Sequence, residues 1–153
     1  MRAQIDEQCV INANSQFWEQ MLAMTLDTLP APAEFSVDAG HMLGSVNLGG
    51  VWKGRIEGRL AGGLAYVATA AMLMQPVETV READALDAAK EIANMIAGVI
   101  KSSLPRPCTM SVPKSVVEPQ GFHRPAATED SLVVAFRHAS GDLMVRVWEQ
   151  ECP

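Results

Sequence analysis

Residues 82–104 read EADALDAAKEIANMIAGVIKSSL, and within them Asp87, Glu91, Asn94 and Gly98 recur at steps of four, three and four. On an α-helix such steps draw one narrow stripe. Ala85, Ala89, Ile92, Ile96, Val99 and Ile100 fall on the opposite side and supply a core-facing surface. The helix therefore presents carboxylates, a carboxamide and a bare glycine in line toward whatever lies outside. Asn and Gly are weak helix formers, Gly by about 1 kcal/mol relative to Ala. A requirement other than helix propensity selects them.

The flanking sequence predicts the rest of the fold. Upstream, Trp52, Gly54, Ile56, Gly58 and Leu60 alternate with Lys53, Arg55, Glu57 and Arg59, the period of a strand with one apolar and one wet face. Gly54 and Gly58 lie on the apolar side, where they would let a helix pack close. Gly49-Gly50 precedes this strand as a hairpin turn, and segments 34–39 and 45–48 read as shorter strands. Residues 3–27 read as a helix through Ile5, Cys9, Ala13, Phe17, Met21 and Met24. It ends before Pro30 and Pro32, which cannot continue it. An Ala- and Met-rich helix over 64–74 stops at Pro76, and the stripe helix stops at Pro105 and Pro107. Residues 108–112 and 115–117 read as strands, 119–130 as a loop. Segments 132–138 and 143–148 form a hairpin across Ser140-Gly141-Asp142. The sum is an α+β single domain over residues 1–153, with three helices layered on one largely antiparallel sheet.

The stripe resembles a known active-site helix. Asp87 followed by Glu91-Ile-Ala-Asn94-Met-Ile-Ala-Gly98 is similar to the acid, Glu and Asn pattern of the CheC/CheX/FliY chemotaxis phosphatases, closest to CheX. VWKGRIEGRL at 51–60, with the Ala-rich helix after it, resembles the strand and helix that precede the site in that family. MSVPKSVVEP at 110–119 resembles its Pro-containing strand segment, with Pro113 and Pro119 as candidates for its Pro. One Glu-x-x-Asn helix occurs, as in CheX, whereas CheC-type members usually carry two.

The resemblance implies a protein-aspartate phosphatase acting on a phosphorylated CheY-like response regulator in chemotaxis or a related two-component pathway. Glu91 would contact the receiver's Lys and Asn94 would orient the attacking water, making these two the catalytic residues. Asp87 and Gly98 would shape the partner-binding stripe. The chemistry suits these side chains, since an acyl phosphate is already activated and needs an oriented water more than acid–base help. Asn carries donor and acceptor on a short side chain and does not titrate. No cofactor is expected on this chain, because the Mg²⁺ of such a reaction sits on the partner receiver, held by the receiver's carboxylates. A homodimer joined at sheet edges is also implied. The alternative is a non-catalytic module that binds a receiver domain or signalling partner through the same helix.

Composition bounds these readings. The 153 residues suffice for one domain with its own core, and 48% hydrophobic with 20% charged residues marks a globular chain. A net charge of −6 with no Lys/Arg cluster argues against nucleic acid. Cys9, Cys108 and Cys152 are odd in number and widely spaced, and His41, His123 and His138 lack zinc-like spacing. Free thiols in a reducing cytoplasm are expected, with no metal site. The polar start MRAQIDEQ lacks the apolar core of a signal peptide. The uncharged run from Leu60 to Val77 is short and interrupted by Gly and Pro, which predicts a buried helix rather than a membrane span.

Overall fold

In the computed structural model, which describes residues 5–30, 34–126 and 128–150, the N-terminal amphipathic segment forms α1 (Glu7–Leu22). The Asp6 carboxylate caps it by accepting the Cys9 N–H at 2.8 Å. Ala23 ends it in a left-handed conformation (φ 53), so it is shorter than the predicted 3–27, whose first two residues lie outside the described ones. Two short strands come next, β1 (Asp27–Leu29) and β2 (Ser36–Val37). The chain continues through β3 (Met42–Gly50), β4 (Gly54–Leu60), α2 (Gly62–Leu73), a 3-10 turn (Val77–Thr79) and α3 (Glu82–Lys101). It closes with β5 (Cys108–Met110), β6 (Lys114–Val117), β7 (Phe122–His123), β8 (Ser131–His138) and β9 (Gly141–Glu149).

The main sheet runs β1-β8-β9-β4-β3, and β5 and β6 share the outer edge of β3. Every pairing is antiparallel. α1, α2 and α3 share a single apolar core with one face of this sheet, in which Val46, Ile56, Leu60, Val134, Leu143 and Val145 meet Ile92, Ile96 and Trp18. The α+β reading of three helices on an antiparallel sheet is what the chain adopts.

Several local expectations change. Gly49 and Gly50 are the last rungs of β3, opposite Thr109 and Cys108. The turn falls instead on Val51–Lys53. The paired β2 and β7 lie within or beside segments read as one longer strand and a loop. Their two-residue ladder is fixed by tertiary contact, not by local pattern.

The charged side of β4 is not wet. β4 lies between β3 and β9, and Glu57 is only 4% exposed. Arg55 Nη2 holds its carboxylate at 3.2 Å. Arg59 lies over the Phe122 ring, 3.7 Å from its centroid, so β7 shields this end of the face. Burial pulls the Arg59 guanidinium below its usual pKa, against the pull of Glu57 and Glu118. His41 is buried and satisfied: Nδ1 is 2.8 Å from the Asp38 carbonyl and Nε2 is 2.9 Å from Arg59 Nη1. Since a guanidinium only donates, Nε2 is the acceptor and the proton sits on Nδ1.

Close helix–sheet approach depends on Gly44 rather than on Gly54 or Gly58. A Cβ at Gly44 would overlap the Ala89 carbonyl oxygen of α3 and press on Ala93 Cβ at 3.1 Å. The Trp52 indole occupies the space over Gly54, and a Cβ at Gly58 would reach only Leu143 at 4.0 Å. Gly44→Ala is therefore expected to lift α3 off β3 and to cost about 1–3 kcal/mol, the usual range for overpacking. Thermal denaturation followed by circular dichroism measures it. An unchanged melting temperature would show that α3 yields freely at this contact.

Candidate functional site on helix α3

α3 begins where the Arg81 N–H donates to the Asp84 carboxylate at 3.2 Å. This is a reciprocal cap from the third helical residue. Glu82 and Asp84 in the first turn and Lys101 in the last suit the helix macrodipole. Ala85, Ala89, Ile92, Ile96 and Ile100 are buried as predicted, and Ala88, Ala93 and Ala97 widen the buried arc. Val99 is only half-buried, because it stands next to Gly98 at the margin of the stripe. Full burial of each Ile contributes roughly 1.5–3 kcal/mol, so the rotation of α3 about its axis is tightly set.

That rotation turns the whole stripe outward. Asp87, Glu91 and Gly98 are exposed and Asn94 is half-buried. The Asp87 side chain is 77% exposed and lies 3.6 Å from Lys90 Nζ, a surface pair of small energetic weight. Among the described residues, neither Glu91 nor Asn94 has a side-chain hydrogen-bond or ion-pair partner. Neither polar atom of Asn94 is sealed from solvent. A half-buried stem with an unengaged carboxamide restricts the rotamers while leaving one donor group and one acceptor for an outside molecule. Glu91 stands one turn away, roughly 5–6 Å between Cβ atoms. The pair can therefore reach into one shallow pocket of another molecule.

Gly98 serves no packing need of this chain, since a Cβ there would meet nothing within 4 Å. It opens onto a groove of about 540 Å³ that is also lined by Lys101, Ser102, Arg106, Pro107 and Cys108. Lys101 comes three residues after Gly98 and so continues the stripe, which sequence reading ended at Gly98. Pro113 lies in the link between β5 and β6, and Pro119 just beyond β6. Cys9 and Cys108 are free thiols, and Cys108 belongs to the core cluster. Cys152 lies outside the described residues. Among the described residues no group of three His, Cys, Asp or Glu is placed to hold a metal ion, and no helix is long and apolar enough to cross a membrane.

Comparison with known proteins places this helix in a family. The family model for the chemotaxis phosphatase CheX matches residues 42–137, from β3 through α3 to β8. The chain belongs to the CheX family. Solved structures share the fold at low identity. CheX from Vibrio vulnificus superposes with a TM-score of 0.77 at 17% identity, over 98% of this chain and 100% of that one. CheX in the CheX–CheY–BeF₃–Mg²⁺ complex from Borrelia burgdorferi gives 0.71 at 15% identity, over 97% and 100%. FliY from Thermotoga maritima gives 0.59 at 14%, over 95% and 92%. A comparison with curated protein sequences finds no match.

The openness at Gly98 has a direct test. Gly98→Ala adds a methyl group to empty space and gains about 1 kcal/mol of helix propensity. The melting temperature is expected to rise by roughly 2–4 °C. A fall would mean that the position is closed off by packing.

Proposed function

We propose that this CheX-family chain is a phosphoaspartyl-protein phosphatase whose substrate is a phosphorylated CheY-like response regulator. The observation that carries the reading is the pairing, on the solvent side of α3, of an exposed Glu91 with an unengaged Asn94 one turn later. Family membership supports the same reading, and the Borrelia relative is found in complex with CheY.

The reaction asks little acid–base work of the enzyme. Water attacks phosphorus opposite the acyl oxygen, the P–O bond breaks, and the aspartate carboxylate leaves as inorganic phosphate forms. Asn94 accepts one hydrogen bond from the attacking water through Oδ1 and fixes its approach, the role an amide plays in some phosphoryl-transfer enzymes. Glu91 engages the receiver's Lys and anchors the amide against the phosphate. Asp87 and Gly98 border this contact, the glycine leaving room for the partner's backbone. The Mg²⁺ that neutralises the phosphate belongs to the receiver's carboxylates, and this chain contributes no ligand to it. The same reading takes the protein to be cytoplasmic and a homodimer joined through a sheet edge. The outermost strands are β1 on one side and β5 and β6 on the other.

The phosphate lifetime of receiver domains from the same organism, measured with and without this chain, tests the proposal. Asn94→Ala is expected to reduce stimulated dephosphorylation by on the order of 100-fold, the scale of losing one well-oriented reactant, while receiver binding persists. A wild-type rate from that variant would remove the amide from the mechanism. Binding by the wild-type chain without any shortening of the lifetime would favour the non-catalytic module.

A further inference from the structure

Beyond Asn94 the stripe changes sign. Asp87, paired with Lys90, and Glu91, which has no cation partner among the described residues, precede the amide, whereas Lys101 comes after it on the same line and Arg106 lines the groove beyond the helix end. From Asp87 to Lys101 the helix rises about 21 Å, the breadth of a protein–protein contact rather than of a small-molecule pocket. Neither cation has an ion-pair partner among the described residues. In a chain of net charge −6, two unneutralised cations lining one groove are a local reversal of the overall field.

Resting on the proposed phosphatase reading, we infer that this groove is the second half of the docking surface and takes the acidic rim of the same phosphorylated receiver. The chemistry of the partner supplies the complementarity. An acyl phosphate is dianionic and a receiver that binds Mg²⁺ adds carboxylates of its own, so one divalent ion offsets only part of the charge and the site stays net negative. Glu91 alone would meet that field unfavourably except at the receiver's Lys. Lys101, about two helical turns beyond Asn94, and Arg106, past the end of the helix, supply the opposite charge. A stripe that is acidic at one end and basic at the other accepts a complementary surface in one direction and repels the reversed placement. The polarity thus fixes the orientation in which Asn94 meets phosphorus. Gly98, between the two halves, keeps the floor of the groove free of side chain.

Lys101 also sits in the last turn of α3, where a Lys would favour the helix macrodipole by itself. The two roles separate by readout: a helix-stabilising role moves the melting temperature, whereas a docking role moves affinity and its salt dependence. The experiment titrates this chain with a panel of receiver domains from the same organism, each loaded with beryllofluoride and Mg²⁺, at low and high salt. Lys101→Glu and Arg106→Glu are expected to weaken binding at least tenfold each at low salt, with the loss shrinking as salt rises. Arg137→Glu, on the far side of the sheet, removes the pair with Asp142 and reverses a charge away from the groove; shown by its circular dichroism to be folded, it is expected to bind as the wild type does. Equal affinity of the Lys101 and Arg106 variants, or a loss shared by the Arg137 control, overturns the inference. The catalytic reading fails separately, through Asn94→Ala acting at the wild-type rate. A panel in which no receiver binds the wild-type chain overturns both.

Discussion

The contact between the α3 backbone at Ala89 and the bare Cα of Gly44 on β3 governs the rest of the molecule. It brings the helix down onto the sheet, and α3 turns only alanines and isoleucines into the core it shares with Val46, Ile56 and Leu60. A helix seated this low cannot roll, because rolling would drive a larger side chain into the sheet. Its outward line is therefore as fixed as its inward one. On the proposed reading, in which Asn94 presents a water to another protein, precise aim matters more than strong binding. Here the aim comes from the sheet rather than from polar contacts around Asn94, which among the described residues has no hydrogen-bond partner of its own.

Much of this was legible in the sequence because two periods are strong. The step of three and four through residues 82–104 gave the helix, its buried face and its stripe. The alternation through residues 52–60 gave the central strand. The hairpin of β8 and β9 was legible too, although its turn is Ala139-Ser140, and Gly141 and Asp142, read as turn residues, already pair with His138 and Arg137 as the start of β9. The failures share a cause. β1 and β7 are three and two residues long and exist because a partner strand is near, so no local pattern announces them, whereas β2 falls inside the strand read over 34–39. The charged face of β4 read as wet because nothing in the chain reveals that Phe122 will come to lie on Arg59. The closeness of helix and sheet was assigned to the glycines of β4, when its owner was Gly44 on the neighbouring strand.

The site divides in the same way. Asp87, Glu91, Asn94 and Gly98 could be read from their spacing together with the resemblance to the CheC/CheX/FliY pattern, with Asn94 and Gly98 also standing out as weak helix formers, and all four lie on the solvent side of the helix. Lys101 passed unnoticed because a lysine is the ordinary residue at a helix C-terminus. Arg106 lies beyond the break at Pro105, and only the return of the chain into β5 brings it beside the groove. Sequence periodicity sees one element at a time, and this groove is made by two.

The outermost strand β6 meets α3 through Val117 at the margin of the core and through one side-chain hydrogen bond. Ser115 on β6 donates to the Leu86 carbonyl at 2.7 Å, just before the stripe begins at Asp87. A strand added at this margin would therefore bear on the helix that carries the stripe, so the sheet edge and the solvent-facing line of α3 are mechanically joined.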